Sequence, residues 1–390
     1  MNIPLIFDTC QPRADVLAGT VSESSYAADL EMVLDGTAPP DYLDPDRFFA
    51  HTHPTRGLKR LLESVFARLT ASPSQIGSIF RLDTRYGGGK THALIALSHI
   101  CKSAPTINRL EEFIDSKLLP KENIRVAAYD GQSASATDDV LLGDGIRTRT
   151  PWGEIAYKLG GVEGYNLVKN ADSSRTAPGS RSLQELIGDK PTLILLDELS
   201  VYLRKLQSIE AAEAVNQITA FLTALFKAVE SSPRACVVFT LAIDQKGKAS
   251  DACQKEDREN RSRIVSDILD ELESVSARKA TLLDPTEEDE TIHVLRRRLF
   301  EHIDMERAEE VVTTYKQIWN ANESVLPAKA ETADTLELLR KNYPFHPEVL
   351  NTLRSKTSTL KDFQRVRGML RLLARTVADM YGRRNRTMYI

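Results

Sequence analysis

Thr84-Arg85-Tyr86-Gly87-Gly88-Gly89-Lys90-Thr91, followed by His92, lies between two segments of different character. Before it, residues 77–82 form a short apolar run suited to a buried strand, and after it residues 91–100 carry apolar side chains at helical spacing. Strand, glycine loop and helix in that order make an anion site, because glycines let backbone N–H groups turn inward while the helix N-terminus favours negative charge. In the pattern G-x-x-x-x-G-K-[ST], the Lys ammonium reaches the terminal phosphates and the hydroxyl after it holds Mg²⁺. Gly89, Lys90 and Thr91 fill its last three positions. Thr84 stands in place of the first glycine, a change that costs about 1–2 kcal/mol if a left-handed backbone is required there. Gly87 and Gly88 supply freedom inside the loop. Residues Thr84, Arg85, Tyr86, Gly87, Gly88, Gly89, Lys90, Thr91 and His92 are thus the expected phosphate-binding set.

A second segment makes the first far more specific. Leu193-Ile194-Leu195-Leu196-Asp197-Glu198 is a buried strand ending in two carboxylates. These are the Walker B partners of a Walker A loop: Asp197 completes the Mg²⁺ shell with Thr91, and Glu198 acts as general base on the attacking water. Lys90 and Asp197 are 107 residues apart, room for another strand over 124–129 and a long insertion. This order belongs to the additional-strand, catalytic-glutamate class of P-loop ATPases. It places the strand over 234–242 between the Walker A and Walker B strands, with Thr240 facing the terminal phosphate of ATP. Asp244 and Gln245 are alternatives, and a Thr within a strand is also simply a good strand former.

The rest of the chain supports an α/β fold. Apolar, β-branched runs at 77–82, 124–129, 192–196, 235–242 and 280–283 alternate with helical stretches such as 211–229. That alternation specifies a three-layer α/β/α parallel sheet. Residues 1–60 read as a lightly helical lead-in broken by prolines and packing on the core. Residues 61–285 are the expected ATPase core, with an insertion at about 131–190. Within it, 131–150 and 169–182 read as loops around a short helix over 152–159, whose Trp152 is expected to anchor the insertion. From 287 onward no strand is expected, only helices over 289–304, 307–320, 332–341, 347–355 and 363–381. Residues 286–390 are then a helical lid.

Composition is that of a globular protein: 390 residues, 42% hydrophobic and 27% charged, with a net charge of −4. No apolar run approaches the roughly 18–20 residues that cross a bilayer. The N-terminus lacks a signal-peptide pattern and the four cysteines show no paired spacing, so a cytoplasmic location is expected. From Lys341 onward eleven Lys/Arg against three Asp/Glu leave +8, so residues 1–340 carry −12. The basic end is either a solvated helical face or a surface for an acidic partner such as DNA. His51, His53, His92, His99 and His346 make no metal constellation.

Further segments carry a family likeness. Ser276-Ala277-Arg278 before residues 280–288, and Phe363-Gln364-Arg365-Val366-Arg367-Gly368-Met369-Leu370-Arg371-Leu372-Leu373, resemble elements of the AAA+ ATPases, especially the replication-initiator and clamp-loader branch. The resemblance implies Arg278 as an arginine finger on a neighbouring subunit's ATP, worth about 10³–10⁵ in turnover. It implies Arg367, with Arg365 as runner-up, as the sensor arginine of the lid. The plainer alternatives are a surface arginine at a helix end and a basic helix without nucleotide contact.

A narrower likeness covers nearly the whole chain. It rests on Pro12-Arg13-Ala14-Asp15-Val16-Leu17-Ala18-Gly19, Tyr86-Gly87-Gly88-Gly89-Lys90-Thr91-His92, Thr150-Pro151-Trp152-Gly153-Glu154-Ile155-Ala156, Leu196-Asp197-Glu198-Leu199 with Tyr202, and Tyr343-Pro344-Phe345-His346-Pro347. Together they resemble an uncharacterised AAA+-like family known only as a domain of unknown function. Its members look like the large ATPases encoded beside DNA methyltransferases in BREX-like phage-defence loci, and they are usually longer than this chain. The resemblance implies a Mg²⁺-dependent ATPase working as a homo-oligomer or with defence-complex subunits, on or near DNA and without a membrane. The alternative expectation is an ATP-gated scaffold or switch with little hydrolysis. A small-molecule kinase fits less well, because Glu198 directly follows Asp197.

Overall fold

The computed structural model describes the whole chain except residues 1–3, 20–25, 27, 72–75, 84–88, 120, 209–211, 241–279, 326–332, 358–364 and 384–388. Five strands build one parallel sheet: β1 (Ile79–Leu82), β2 (Arg125–Asp130), β3 (Thr192–Asp197), β4 (Ala235–Thr240) and β5 (Thr281–Leu283). Their spatial order is β2-β3-β4-β1-β5. β4 therefore separates β1 from β3, pairing Leu82 with Thr240 on one side and Leu196 with Phe239 on the other.

Side-chain alternation explains why the central strands β3 and β4 are buried throughout. Leu193, Leu195, Cys236 and Val238 enter one core with the inner faces of helix α1 (Arg56–Leu69) and helix α2 (Lys90–Ser103). Ile194, Leu196, Val237 and Phe239 enter a second core, against helix α3 (Pro151–Asn166) and helix α4 (Ala212–Ser231). A sheet covered by helices on both faces leaves its strands no polar side. Each fully buried Leu, Ile or Val contributes roughly 1.5–3 kcal/mol, and Leu195→Ala would remove about 2–5 kcal/mol.

The lead-in divides between two cores. Tyr42, Phe48 and Phe49 cover α2, and His99 on that helix is bonded through Nε2 to the Tyr42 carbonyl at 2.8 Å. Ile6, Cys10 and Val16 instead join a third core with helices α5 (Thr291–Leu299), α6 (Met305–Ala321), α7 (Ala333–Asn342), α8 (Pro347–Thr357) and α9 (Arg365–Arg383). The Tyr381 hydroxyl of α9 donates to the Cys10 carbonyl at 2.6 Å, fastening the start of the chain to its last long helix.

Three expectations need correction. The helix expected over 289–304 stops at Leu299, and Phe300–Ile303 is a strand paired antiparallel with Cys10–Pro12. Nothing near it in sequence announces that strand, because the pairing partner lies some 290 residues earlier. The helix expected over 152–159 runs from Pro151 to Asn166, with Gly161 breaking its geometry at φ 60°. Residues 169–182 are largely helical, as Lys169–Ser174 and the first turn of Ser180–Ile187, not loop. Their Ser and Asp content misleads because Asp172 is buried, accepting hydrogen bonds from Thr148, Thr150 and Tyr165. Trp152 is buried against Phe221 of α4, centroids 5.4 Å apart, and does anchor this region.

Burial holds the His99 pKa below the ordinary imidazole value. The unfolded chain takes up a proton near pH 6.5 that the native ring resists, so this contribution to stability is complete above about pH 6.5 and is lost as pH falls below it. His99→Gln is expected to flatten part of the decline in Tm between about pH 6.5 and 5, in thermal unfolding followed across that range. An unchanged slope would contradict the assignment.

Candidate functional site

Parallel strands bring their carboxyl ends to one edge of the sheet, beside the N-terminus of the helix that follows β1, and ligands of open α/β sheets bind at such edges. Asp197 ends β3, in register with Asp130 at the end of β2. Asp197 and Thr240 continue the residues that face α1 and α2, so both point toward the start of α2. The Thr240 hydroxyl donates to Asp197 Oδ1 at 2.6 Å and accepts from the Glu198 N–H at 2.9 Å. Asp197 is only 2% exposed, and burial pushes its pKa up, while the Thr240 hydroxyl and the nearby Thr91 hydroxyl, in the first turn of α2, pull the other way. The site thus holds a desolvated carboxylate bonded by the Thr240 hydroxyl and the Glu198 N–H.

Glu198 follows in a left-handed conformation at φ 48°. A side chain disfavours that region by roughly 1–2 kcal/mol, and such strain collects where surrounding structure fixes a residue for a purpose. The surroundings here are tight. A Cβ on Gly131 would lie 2.5 Å from the Glu198 carbonyl oxygen, so only glycine lets the loop after β2 pass. Lys205 ties the same loop down through the carbonyls of Gly131, Gln132 and Ala134.

Gly89 precedes α2 at φ 90°, a conformation glycine adopts without penalty. Lys90, Thr91, Gln132, Glu198 and Arg367 line one cavity of about 600 Å³. The rest of its wall comes from the lead-in, through Tyr26, Tyr42, Thr52 and Leu58, and from Val294, Val366 and Leu370 of the C-terminal helices. His51, His53, Thr55 and Arg298 also line it, so the wall mixes apolar and polar groups.

Of the expected site residues, Gly89, Lys90, Thr91, Glu198 and Arg367 line this cavity and Asp197 and Thr240 support its floor. His92 also borders it, with Nε2 2.8 Å from the Thr52 hydroxyl and its ring stacked on Phe48 at 4.3 Å. Burial pushes its pKa down to about 3, so the ring is neutral. Thr84, Arg85, Tyr86, Gly87, Gly88, Arg278, Asp244, Gln245 and the side chain of Arg365 lie outside the described residues. Among the described residues no group of three or more His, Cys, Asp or Glu is placed to hold a metal ion, and no helix is long and apolar enough to cross a membrane.

The sequence reading missed Asp130, Gln132 and the lead-in wall. Asp130 carried a usable signal, an acid closing a buried strand just as Asp197 does. Burial raises its pKa to about 6, against the lowering bond from the Gln132 N–H. The lead-in wall had no such signal, since its residues come together only when 26–58 folds over α2.

Thr240→Val keeps the volume and removes the hydroxyl. It leaves Asp197 short of a donor and the Glu198 N–H short of an acceptor, and is expected to destabilise the protein by about 1–3 kcal/mol. Chemical denaturation measures this, and an unchanged midpoint would show that the bond contributes nothing.

No curated protein matches the chain. The model of the DUF499 N-terminal domain matches residues 6–280, and that of the DUF499 second domain matches residues 286–390. Together these matches take in all but the first five residues and the short stretch 281–285, and the chain belongs to the DUF499 family, a domain of unknown function.

Proposed function

We propose that the protein is a Mg²⁺-dependent ATPase of P-loop, AAA+-like type. One observation carries this reading: the buried carboxylate of Asp197 at the end of β3 is bonded by Thr240, on the strand between β1 and β3, and has Thr91, in the turn that follows a Gly-Lys pair, close beside it. The donor set fits Mg²⁺, which takes hard oxygen ligands and keeps several waters, so one carboxylate and one hydroxyl suffice beside phosphate oxygens. When bound, the ion neutralises charge on the phosphates. Lys90 would hold the same phosphates, and Glu198, which lines the same cavity, would accept the proton of the attacking water. The apolar side chains of the lining, Tyr26, Tyr42, Val366 and Leu370, offer contacts for a nucleotide base. Arg367 on α9, which lines the cavity, keeps the sensor role, and Arg278 the role of trans-acting finger, that the AAA+ likeness implies.

Lys90→Ala is expected to abolish the rise in Tm that ATP and Mg²⁺ produce. Glu198→Gln is expected to keep that rise while single-turnover hydrolysis falls about 10²–10⁴-fold. No shift in the unaltered protein would remove the nucleotide assignment. A shift without turnover, even with DNA and partner proteins added, would favour a nucleotide-gated switch.

Coupling of turnover to a DNA-associated defence assembly extends the reading, on the family likeness and the basic C-terminal segment. Arg383 is engaged by Asp379 at 2.8 Å, and Arg384 and Arg386 lie outside the described residues. Replacing all three should reduce the salt slope of DNA binding, roughly in proportion to the number of DNA phosphates these arginines neutralise. An identical slope would exclude this segment as the DNA contact.

A further inference from the structure

Beyond the phosphate end, the cavity wall formed by residues 51–55 is held by an ionic cluster that none of the proposed chemistry uses. At its centre is Arg298, in the last turn of α5 and only 8% exposed. Its guanidinium donates to Asp41 Oδ2 at 3.0 Å and stands 3.6 Å from Asp15 Oδ2. It also covers the Tyr26 ring at 5.0 Å and lies 2.9 Å from His51 Nδ1. On the opposite side of the imidazole, Arg13 meets His51 Nε2. His51 Nδ1 also lies 3.5 Å from Asp41 Oδ2. Asp41 is held as well by Arg47 at 3.0 Å.

Three parts of the chain meet in this cluster. Arg13 and Asp15 belong to the segment fastened to the C-terminal helices, with the Arg13 N–H bonded to the Leu299 carbonyl at 3.0 Å. Asp41 and His51 belong to the lead-in that covers α2. Arg298 belongs to the C-terminal helices themselves. Next to His51, Thr52 bonds to His92 at 2.8 Å, one residue from Thr91, and Thr55 donates to the Pro285 carbonyl at 2.6 Å. The wall is thus fixed at one end to the helix that starts at Lys90 and at the other to the connection leading into the C-terminal helices. Asp41 and Asp15 both engage the Arg298 guanidinium, which makes it a clamp between the segments that carry them.

We propose that Arg298 is a positioning residue: through Asp41 and His51 it seats the 51–55 wall against a bound nucleotide, and through α5 it passes that contact to the C-terminal helices. This rests on the nucleotide reading above. Arg298 shapes the cavity before and during reaction alike, so its loss should weaken binding more than it slows the reacting step.

The test uses the full chain and Mg-ATP, with Arg298→Lys, which keeps the charge and loses the forked geometry, Asp41→Asn, and the pair combined. Each single variant is expected to raise the KM and the Kd for Mg-ATP about ten-fold or more, with kcat falling by a smaller factor. The double variant should bind no more weakly than the weaker single variant, since both act through one clamp. Hydrogen exchange adds a direct readout: Mg-ATP should increase protection of amides in 291–303 in the unaltered protein and much less in Arg298→Lys. If the variants bind Mg-ATP as tightly as the unaltered protein, if their losses simply add, or if protection of 291–303 rises equally in both, the clamp is overturned and the ATPase reading stands. If the unaltered protein binds no Mg-ATP, both fall.

Discussion

The buried carboxylate of Asp197, bonded by the Thr240 hydroxyl, organises the site. Burying a carboxylate is costly unless donors compensate it, and here β4 supplies the Thr240 hydroxyl while the Thr91 hydroxyl of α2 stands close by. β4 and α2 belong to different crossovers of the sheet. The carboxylate can be this deeply placed only because β4 lies between β1 and β3, and because α2 starts directly above the strand ends. Displacing β4 would cost the desolvated Asp197 its hydroxyl donor. Sheet order, helix start and site electrostatics are therefore one constraint seen at three scales.

Tightness around Glu198 has the same origin. Its left-handed backbone is held by the two-way bond of its N–H to Thr240 and Asp197 and by the close passage of Gly131. The carboxylate end of β3 is rigid, whereas the cavity beyond it is assembled from segments far apart in the chain. One wall comes from 26–58 and another from α5 and α9. Rigid chemistry at the sheet edge and composite walls above it suit a site whose two halves respond differently to a bound molecule.

The fold was readable where physical signals are local. The strands of the parallel sheet appear as apolar runs, most clearly β3 and β4, whose residues are all buried. Lys90, Thr91, Asp197 and Glu198 stand out as candidates because a glycine loop before a helix and acids after a buried strand are local patterns. Of the three alternatives at and beyond the end of β4, Thr240 alone lies within the described residues, where it bonds to Asp197. The failures are equally physical. Phe300–Ile303 is a strand only because Cys10–Pro12 lies beside it. The helix over Lys169–Ser174 was hidden because its Asp172 looks like a loop residue until Thr148, Thr150 and Tyr165 surround it.

Periodicity and residue chemistry alone settled that the chain is α/β, that its charged catalytic candidates stand at strand ends, and that helices dominate after residue 287. These are properties of neighbours within a few turns, and they are written in the local pattern. Tertiary structure decided which carboxylates face which hydroxyls, that residues 6–17 pack with helices almost three hundred positions later, and that Arg298, Asp41 and His51 meet behind the cavity wall. Contacts of that kind join segments with no shared spacing, and only the packing of the three cores against one another brings them within a hydrogen bond's reach.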